Sequence, residues 1–247
     1  MSDGSDTQPT SFPWPETLRQ LAGFAHQEAA AVASGDGLRF VGARLQLQLP
    51  RNVPLARAGE SPRDYLLRIP ELPQRHLVIL LRAGAMAIGY WQGEELLLHK
   101  AQKRYVVRGN GKGQPLHLKT RGKSRYGSRL RLQNWQRLLT DLTSRLVDWC
   151  EQIGEPERIH YGCAVRVWSE LFAAAEPPPP FAAEDHRRLP IPLHTHEPDH
   201  RELLSVWRQL GRGRVHARPA DADLRSGDTK QGTKPNADPD TGPDPRV

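Results

Sequence analysis

The chain has 247 residues, of which 37% are hydrophobic and 26% are charged, and its net charge is +7. These values fit one sizeable soluble domain with tails, or one domain and a small subdomain; we expect no membrane span and no secretory signal at Met1–Asp6, which predicts a cytoplasmic protein. Cys150 and Cys163 are the two cysteines, and their wide separation argues against a zinc finger or a disulfide framework.

The first third of the chain predicts a small helix-and-strand region, residues 15–75, behind a tail. Residues 1–14 are polar and contain prolines, and we expect them to be disordered. Apolar residues recur at helical spacing in Pro15–Ala33, whereas Leu45–Leu49 alternates between apolar and polar residues, as in a strand with one solvated face. Arg51–Pro73 contains four prolines, and its pattern assigns no element.

Residues 76–211 have the pattern of an α/β or α+β domain with a mixed sheet. Its most regular feature is a long amphipathic helix, about Ser128–Ile153, in which apolar residues recur every three or four positions. A second helix is predicted at Asp199–Leu210. Strands are predicted at His76–Arg82, Ala85–Trp91, Glu94–His99, Arg158–Val167 and Leu189–His194. Residues 212–247 contain no aromatic residue, and we expect this tail to be disordered.

The positive charge of the chain is concentrated in its middle. Between Leu96 and Thr140 there are twelve lysines and arginines and no aspartate or glutamate, so the rest of the chain has a net charge of −5 against the total of +7. Such a local excess is typical of a protein that binds a phosphate-bearing partner. The alternative is a solvated basic face without a partner.

A glycine-rich loop lies inside this basic segment, and one glutamine follows it directly. Gly109, Gly111 and Gly113 would let the backbone approach a ligand closely, and Gln114 comes next. The same string is also typical of a flexible hairpin tip. It is not a P-loop, because His117 stands where that motif needs glycine.

Basic side chains lie on both sides of the loop, most densely where the long helix begins. A helix N-terminus offers free N–H groups and the positive end of the helix dipole, and both favour phosphate. Tyr105, Tyr126 and Trp135 could stack on bases, although such residues are more often part of a core. The candidate RNA- and phosphate-binding residues are Arg104, Arg108, Lys112, Lys119, Arg121, Lys123, Arg125, Arg129 and Arg131.

Three sequence blocks carry a more specific signal: Lys103-Arg-Tyr-Val-Val-Arg108, Gly111-x-x-Gln114 and Lys119-Thr-Arg-Gly-Lys-Ser-Arg-x-Gly-Ser-Arg129. In these blocks the chain resembles the bacterial branch of the Vms-like release factor family, relatives of the eukaryotic class I peptide chain release factor. The resemblance is specific over about residues 99–137 and looser out to about residue 211. It implies a fold like the catalytic middle domain of the release factor, and action on stalled peptidyl-tRNA at the large subunit of the ribosome.

The resemblance implies that Gln114 is the catalytic residue, presented by the glycine loop. The release factor itself carries Gly-Gly-Gln, whereas this chain has Lys112 in place of the first of those two adjacent glycines. It also has Pro115 directly after the glutamine, and a proline restricts the residue before it to extended conformations.

A glutamine at this position permits two reactions. Because its amide does not titrate, Gln114 would orient a water molecule or a ribose hydroxyl and stabilise developing charge on oxygen. Ester hydrolysis would free the peptide from the tRNA, whereas phosphodiester cleavage would remove the tRNA 3′ end, with Arg121–Arg131 stabilising the charge. A non-catalytic ribosome- or RNA-binding protein is the alternative function.

No cofactor is predicted, and the oligomeric state is left open. His194, His196 and His200 form an H-x-H-x-x-x-H pattern. This spacing is not one of the usual zinc sets, and we expect surface or structural histidines and no metal site.

Overall fold

The computed structural model describes residues 10–69, 74–104 and 123–218, and for residues 123–128 it describes the backbone only. The strands are β1 Thr10–Pro13, β2 Val32–Ala33, β3 Arg39–Val41, β4 Leu45–Gln48, β5 Arg75–Arg82, β6 Ala85–Gln92, β7 Glu95–Lys103, β8 Arg158–Gly162, β9 Arg188–Pro190 and β10 Arg212–Ala217. The α-helices are α1 Thr17–Gln27, α2 Pro62–Arg68, α3 Lys123–Ile153, α4 Val165–Ala174 and α5 His200–Leu210. None of the helices in these ranges is long and apolar enough to cross a membrane.

These strands form two five-stranded sheets, which confirms a mixed α and β fold. The first sheet has the order β1-β10-β4-β3-β2, and all of its pairs are antiparallel. The second sheet has the order β7-β6-β5-β8-β9, in which β5 and β9 run parallel to β8 between them. Because β5–β6 and β6–β7 are antiparallel hairpins, this second sheet is the mixed sheet that the sequence predicts.

Helices cover both faces of the second sheet. Strand β5 is buried on both sides, so neighbouring residues such as Ile79 and Leu80 point to opposite faces of the sheet and belong to different hydrophobic cores. The long helix α3 and helix α4 pack on one face, where Leu142 is fully buried. Helix α5 packs on the other face, where the rings of Trp91 and Trp207 are stacked with centroids 4.7 Å apart.

Helix α3 ends where the sequence predicts, because Gly154 has a φ of +102° that side chains rarely adopt. A Cβ at Gly154 would also lie 2.4 Å from Nη1 of Arg75. That guanidinium donates to the carbonyl of Ile153 at 3.0 Å, and the Tyr90 hydroxyl donates to the carbonyl of Gly154 at 2.7 Å. The carboxyl end of α3 is therefore fixed at the edge of the sheet where β5 begins.

The structure corrects the expected tails. Thr10–Pro13 and Arg212–Ala217 lie in segments for which we expected disorder, yet they pair with each other as β1 and β10. Strand β10 also pairs with β4, so it lies inside the first sheet. Its backbone hydrogen bonds and the packing of Phe12 over Gly213 order a segment that has few apolar residues of its own. Residues 1–9 and 219–247 lie outside the described residues.

Two helices differ from the sequence prediction. Helix α2 lies in the proline-bearing stretch, where Ser61 caps it and Pro62 occupies a first-turn position that tolerates proline. The predicted strand Arg158–Val167 is wrong beyond Gly162, because Val165 already begins α4. Trp168 and Leu171 are then buried on one face of that helix, a periodicity that a short window did not distinguish from a strand.

Candidate functional site

Four strands of the second sheet end at the same edge of that sheet. Strands β5, β8 and β9 run in the same direction. Strand β7 runs in that direction too, because β6 between β5 and β7 is antiparallel to both, and so the end of β7 lies at the same edge. We call this the carboxyl edge and define it by Arg82, Lys103, Gly162 and Pro190. Ligands of open α/β sheets bind outside the carboxyl ends of parallel strands.

The residues that precede the basic loop in sequence lie at this edge. Strand β7 ends at Lys103, and Arg104 N–H donates to the carbonyl of Gly84 at 2.8 Å, in the turn between β5 and β6. Asp141, in the middle of helix α3, contacts Arg104 at this edge. From there the helix runs to the opposite edge of the sheet, where the carbonyl of Ile153 contacts Arg75. The part of α3 that precedes Asp141 is therefore on the side of the carboxyl edge.

Asp141 holds the start of the loop through two side chains. Its Oδ2 accepts hydrogen bonds from Arg104 Nη2 at 2.5 Å and from Gln102 Nε2 at 3.0 Å. Partial burial alone would raise the pKa of Asp141, but the hydrogen bonds from Arg104 and Gln102 hold that pKa below its usual value. The carboxylate is thus charged at neutral pH, and it ties the residue before the loop to the middle of α3.

The side chains from Arg129 to Arg137 in α3 are exposed or partly exposed. Between Arg129 and Arg137 no residue is buried, and Leu132 is 58% exposed, whereas Leu138 and Leu139 are fully buried. Helix α3 has no acidic residue in its first turn, so nothing there offsets the positive end of the helix dipole. This arrangement leaves a basic helix surface next to the carboxyl edge.

The predicted site residues fall into three groups. Arg104 is paired with Asp141, Arg129 is exposed, and Arg131 is partly buried. Lys123 and Arg125 lie in the first turn of α3, where the structure describes only the backbone. Outside the described residues lie Arg108, Gly109, Gly111, Lys112, Gly113, Gln114, Lys119 and Arg121. Their roles remain predictions.

A cavity of about 490 Å³ opens at the carboxyl edge beyond β5, β8 and β9. Its wall includes the apolar side chains of Leu81 and Ile191 and the polar side chains of Arg82 and His194. Burial raises the pKa of the Cys163 thiol in this wall to about 12. The thiol is therefore neutral at physiological pH and is a poor nucleophile.

The three histidines of the H-x-H-x-x-x-H pattern do not meet. The rings of His194 and His196 are 5.4 Å apart, whereas His200 lies against His99 at 4.3 Å. Within residues 10–69, 74–104 and 123–218, no group of three histidines, cysteines or carboxylates is placed to hold a metal ion.

The structure decides between the two roles considered for Trp135 and adds Asp141, for which the sequence predicted no role. Trp135 packs against the core and its Nε1 donates to Glu170 at 3.0 Å, which favours the core role over base stacking. Asp141 was missed, although it is the first carboxylate after the acid-free stretch that ends at Thr140. That position was the available signal for it.

Comparisons with known proteins bear on the same region. A family model described as "Bacteroidetes VLRF1 release factor" matches residues 76–218, which is more than half of the chain. The tRNA endonuclease ANKZF1 of Mus musculus is 32% identical over 144 residues, which are 56% of this chain and 19% of that protein. The chain therefore spans about a fifth of the length of this relative.

A solved structure titled "Vms1 mitochondrial localization core" aligns with 89% of this chain and 86% of its own chain, at 13% identity and a TM-score of 0.42. The family match can be located on the elements of the fold. It begins at His76 in β5 and continues past β10, so it includes the carboxyl edge, helix α3 and the basic segment.

Proposed function

We propose, because the chain belongs to the Bacteroidetes VLRF1 release factor family, that it is a hydrolase that frees nascent chains from peptidyl-tRNA on stalled ribosomes. The observation that supports this proposal is the position of the described residues on either side of the basic loop. Arg104, before the loop, lies at the carboxyl edge, and Arg129, after it, is exposed on α3. A phosphate-rich substrate would meet positive charge on both sides of Gln114.

The partners follow from this substrate. We propose that the protein works in ribosome quality control, in the cytoplasm, and binds tRNA at the large ribosomal subunit, where the ester bond of a peptidyl-tRNA lies. The acid-free stretch from Leu96 to Thr140 supports an RNA partner, because phosphate contacts need cations without competing carboxylates.

Ester hydrolysis is the first candidate reaction. A water molecule oriented by Gln114 attacks the carbonyl carbon that joins the peptide to the tRNA. The new bond is between that carbon and the water oxygen, the bond to the ribose oxygen breaks, and the water proton passes to that ribose oxygen. The glutamine amide and backbone N–H groups would stabilise the oxyanion that forms on the way.

Phosphodiester cleavage is the second candidate, and the similarity to a tRNA endonuclease favours it. Here a ribose 2′-hydroxyl attacks the adjacent phosphorus, the bond to the 5′ oxygen of the next nucleotide breaks, and that oxygen takes up a proton. Arginines near the start of α3, such as Arg125 and Arg129, would stabilise the charge on the phosphate oxygens.

The products of one reaction distinguish these candidates. Purified stalled ribosome complexes with a labelled nascent chain are incubated with the full-length protein, and both the peptide and the tRNA 3′ end are analysed. A free peptide with an intact tRNA end indicates ester hydrolysis, whereas a peptide that retains the terminal nucleotides indicates endonuclease cleavage. A nascent chain that stays on full-length tRNA at all protein concentrations contradicts the proposal.

The anchor at Asp141 gives a separate prediction. We expect Asp141→Asn to slow nascent-chain release by about 10-fold, because Arg104 loses its charged partner and the loop loses part of its fixed geometry. The ion pair is partly exposed, so we expect the free energy of unfolding to change by less than about 1 kcal/mol. Release kinetics and urea unfolding measure the two effects.

Asp148→Asn is the matched control, because Asp148 lies on the same helix and pairs with Arg145 through an exposed contact of 3.6 Å. A positioning role also predicts that Arg104→Gln combined with Asp141→Asn is no slower than the worse single variant. Equal slowing by Asp148→Asn, or additive slowing in the double variant, would contradict it.

A further inference from the structure

A groove lies where the two sheets meet, outside the site described above. It is a cavity of about 260 Å³, and three arginines line it together with Gln48 and Gln209. We call it the arginine groove and define it by Arg51, Arg212 and Arg214. These residues come from opposite ends of the chain, so no charge run in the sequence reveals the groove.

The strand alternation of β10 puts two of the arginines on one face. Gly213 lies between them and faces the core, where a Cβ would meet the ring of Phe12 at 2.2 Å. Arg212 and Arg214 therefore point away from that core. Both are exposed, and Gln48 lies directly across from Arg214 on β4.

The third arginine closes the groove from the side of the second sheet. Arg51 donates through its backbone N–H to Leu210 at 2.7 Å and through Nη1 to the carbonyl of Pro190 at 3.2 Å. Burial lowers the pKa of Arg51, although Asp36 acts in the opposite direction. The guanidinium is thus held in place at the side of the groove.

The groove brings three positive charges together. In the described part of the chain, none of the three arginines forms an ion pair with a carboxylate. Asp36 is itself paired with Arg39 at 3.3 Å. Three like charges around one small cavity repel one another, and an anion that bridges them relieves this repulsion.

The groove is next to the carboxyl edge. Leu193 lines both the arginine groove and the larger cavity at that edge. The segment that follows β9 therefore borders both openings. A ligand with phosphates at regular spacing could occupy both, and a polynucleotide backbone has such spacing.

We infer that the arginine groove binds a phosphate group of the RNA substrate, as a contact separate from the basic segment between Leu96 and Thr140. This inference rests on the proposed function for the identity of the RNA. Arginine provides forked donors that match phosphate oxygens, and the glutamines add neutral donors. The groove then acts as a second contact that fixes the tRNA while its 3′ end reaches the carboxyl edge.

The test compares two variants that each remove two exposed arginines. Arg212→Gln/Arg214→Gln empties the groove of its exposed charges. Arg19→Gln/Arg63→Gln is the control, because it removes two exposed arginines from α1 and α2, which pack with the core on the other face of the first sheet. Fluorescence anisotropy with labelled deacylated tRNA, at a series of potassium chloride concentrations, gives the affinity and its salt dependence.

We expect the groove variant to bind tRNA about 10-fold more weakly at physiological salt, and the slope of log K against log salt to fall by about 1 to 2. The control variant keeps the affinity and slope of the wild type. Equal loss in both variants, or wild-type affinity in the groove variant, overturns the inference.

Two other anions separate the sources of the ligand. Inorganic phosphate and labelled polyglutamate are each titrated, without tRNA, against the wild type and the groove variant at ionic strength matched with potassium chloride. An RNA site predicts that the groove variant loses tRNA affinity. Loss of phosphate or polyglutamate binding in the groove variant, with tRNA affinity unchanged, would assign the groove to a free phosphate or to an acidic protein, and either result overturns an RNA site.

Failure of this inference can be told apart from failure of the proposed function. If the groove variant keeps full tRNA affinity while Gln114→Ala abolishes release, the function stands and the groove inference falls. If the groove variant loses affinity while wild type and Gln114→Ala release peptide at the same rate, the groove stands and the function of Gln114 falls.

Discussion

Replacing Gln114 with alanine is expected to slow nascent-chain release by about 100- to 1000-fold, the usual cost of removing one preorganised donor for a developing oxyanion. The same variant should bind tRNA with unchanged affinity, because an amide adds no charge to a complex held by phosphate contacts. Single-turnover release from stalled ribosome complexes and tRNA anisotropy measure the two quantities. The expected pattern is a loss in rate with no loss in binding.

Gln136→Ala is the matched control for this experiment. Gln136 is exposed on α3, so its removal deletes a glutamine amide from the same basic region without touching the loop. We expect this variant to release peptide at the rate of the wild type. Unchanged release by Gln114→Ala would remove the residue from the reaction and favour a protein that binds RNA without cleaving it.

The elements of the fold could be predicted where the side chains alone determine the period. Apolar residues at three and four positions give α3, and the hydrophobic runs give β5 and β6. Strand β10 was missed because its order depends on pairing with β1 and β4, which lie far away in sequence. A propensity argument cannot include partners that are brought together only by the tertiary fold.

In the candidate site, too, some features could be predicted from the sequence and others could not. The basic segment is visible in the sequence, because its lysines and arginines lie within one stretch, from Leu96 to Thr140, that contains no aspartate or glutamate. The bond from Arg104 to Asp141 joins residues on β7 and α3, and the arginine groove joins Arg51 to Arg212 and Arg214. The first contact depends on how α3 packs on the second sheet and the second on how the two sheets meet, so only the folded chain reveals them.

A buried histidine pair predicts how stability depends on pH. His76 on β5 and His160 on β8 are 1% and 0% exposed, and His76 Nδ1 lies 3.2 Å from His160 Nε2. One nitrogen of this contact must donate and the other accept, so at least one of the two imidazoles must be neutral. Burial, and then the charge of Arg158, lower the pKa of His76 from 6.5 to about 4. Burial, and then His76, lower the pKa of His160 well below 6.5.

Because of these lowered pKa values, the unfolded chain binds more protons than the folded chain when the pH is below about 6.5. The full stability is therefore present above pH 6.5, the pKa of an unfolded histidine, and is lost as the pH falls towards the folded value of about 4. His76 alone contributes on the order of 3 kcal/mol over that range, and His160 adds a loss of the same sign. Asp185, whose pKa Arg187 lowers to about 2, loses its contribution only below the normal carboxyl range.

Urea unfolding at about pH 7.5 and about pH 5 therefore isolates the histidines, and we expect the free energy of unfolding to fall by about 2 kcal/mol or more between them. In His76→Gln/His160→Gln this fall should largely disappear, even if the variant is less stable at both pH values, because glutamine has no proton to gain. His26→Gln, which changes an exposed histidine, should keep the full fall. Stability that is equal at the two pH values in the wild type, or a fall of undiminished size in the double variant, would mean that another group takes up the protons. The double variant therefore tests the buried pair through a difference between two pH values, a measurement that a general loss of packing leaves unchanged.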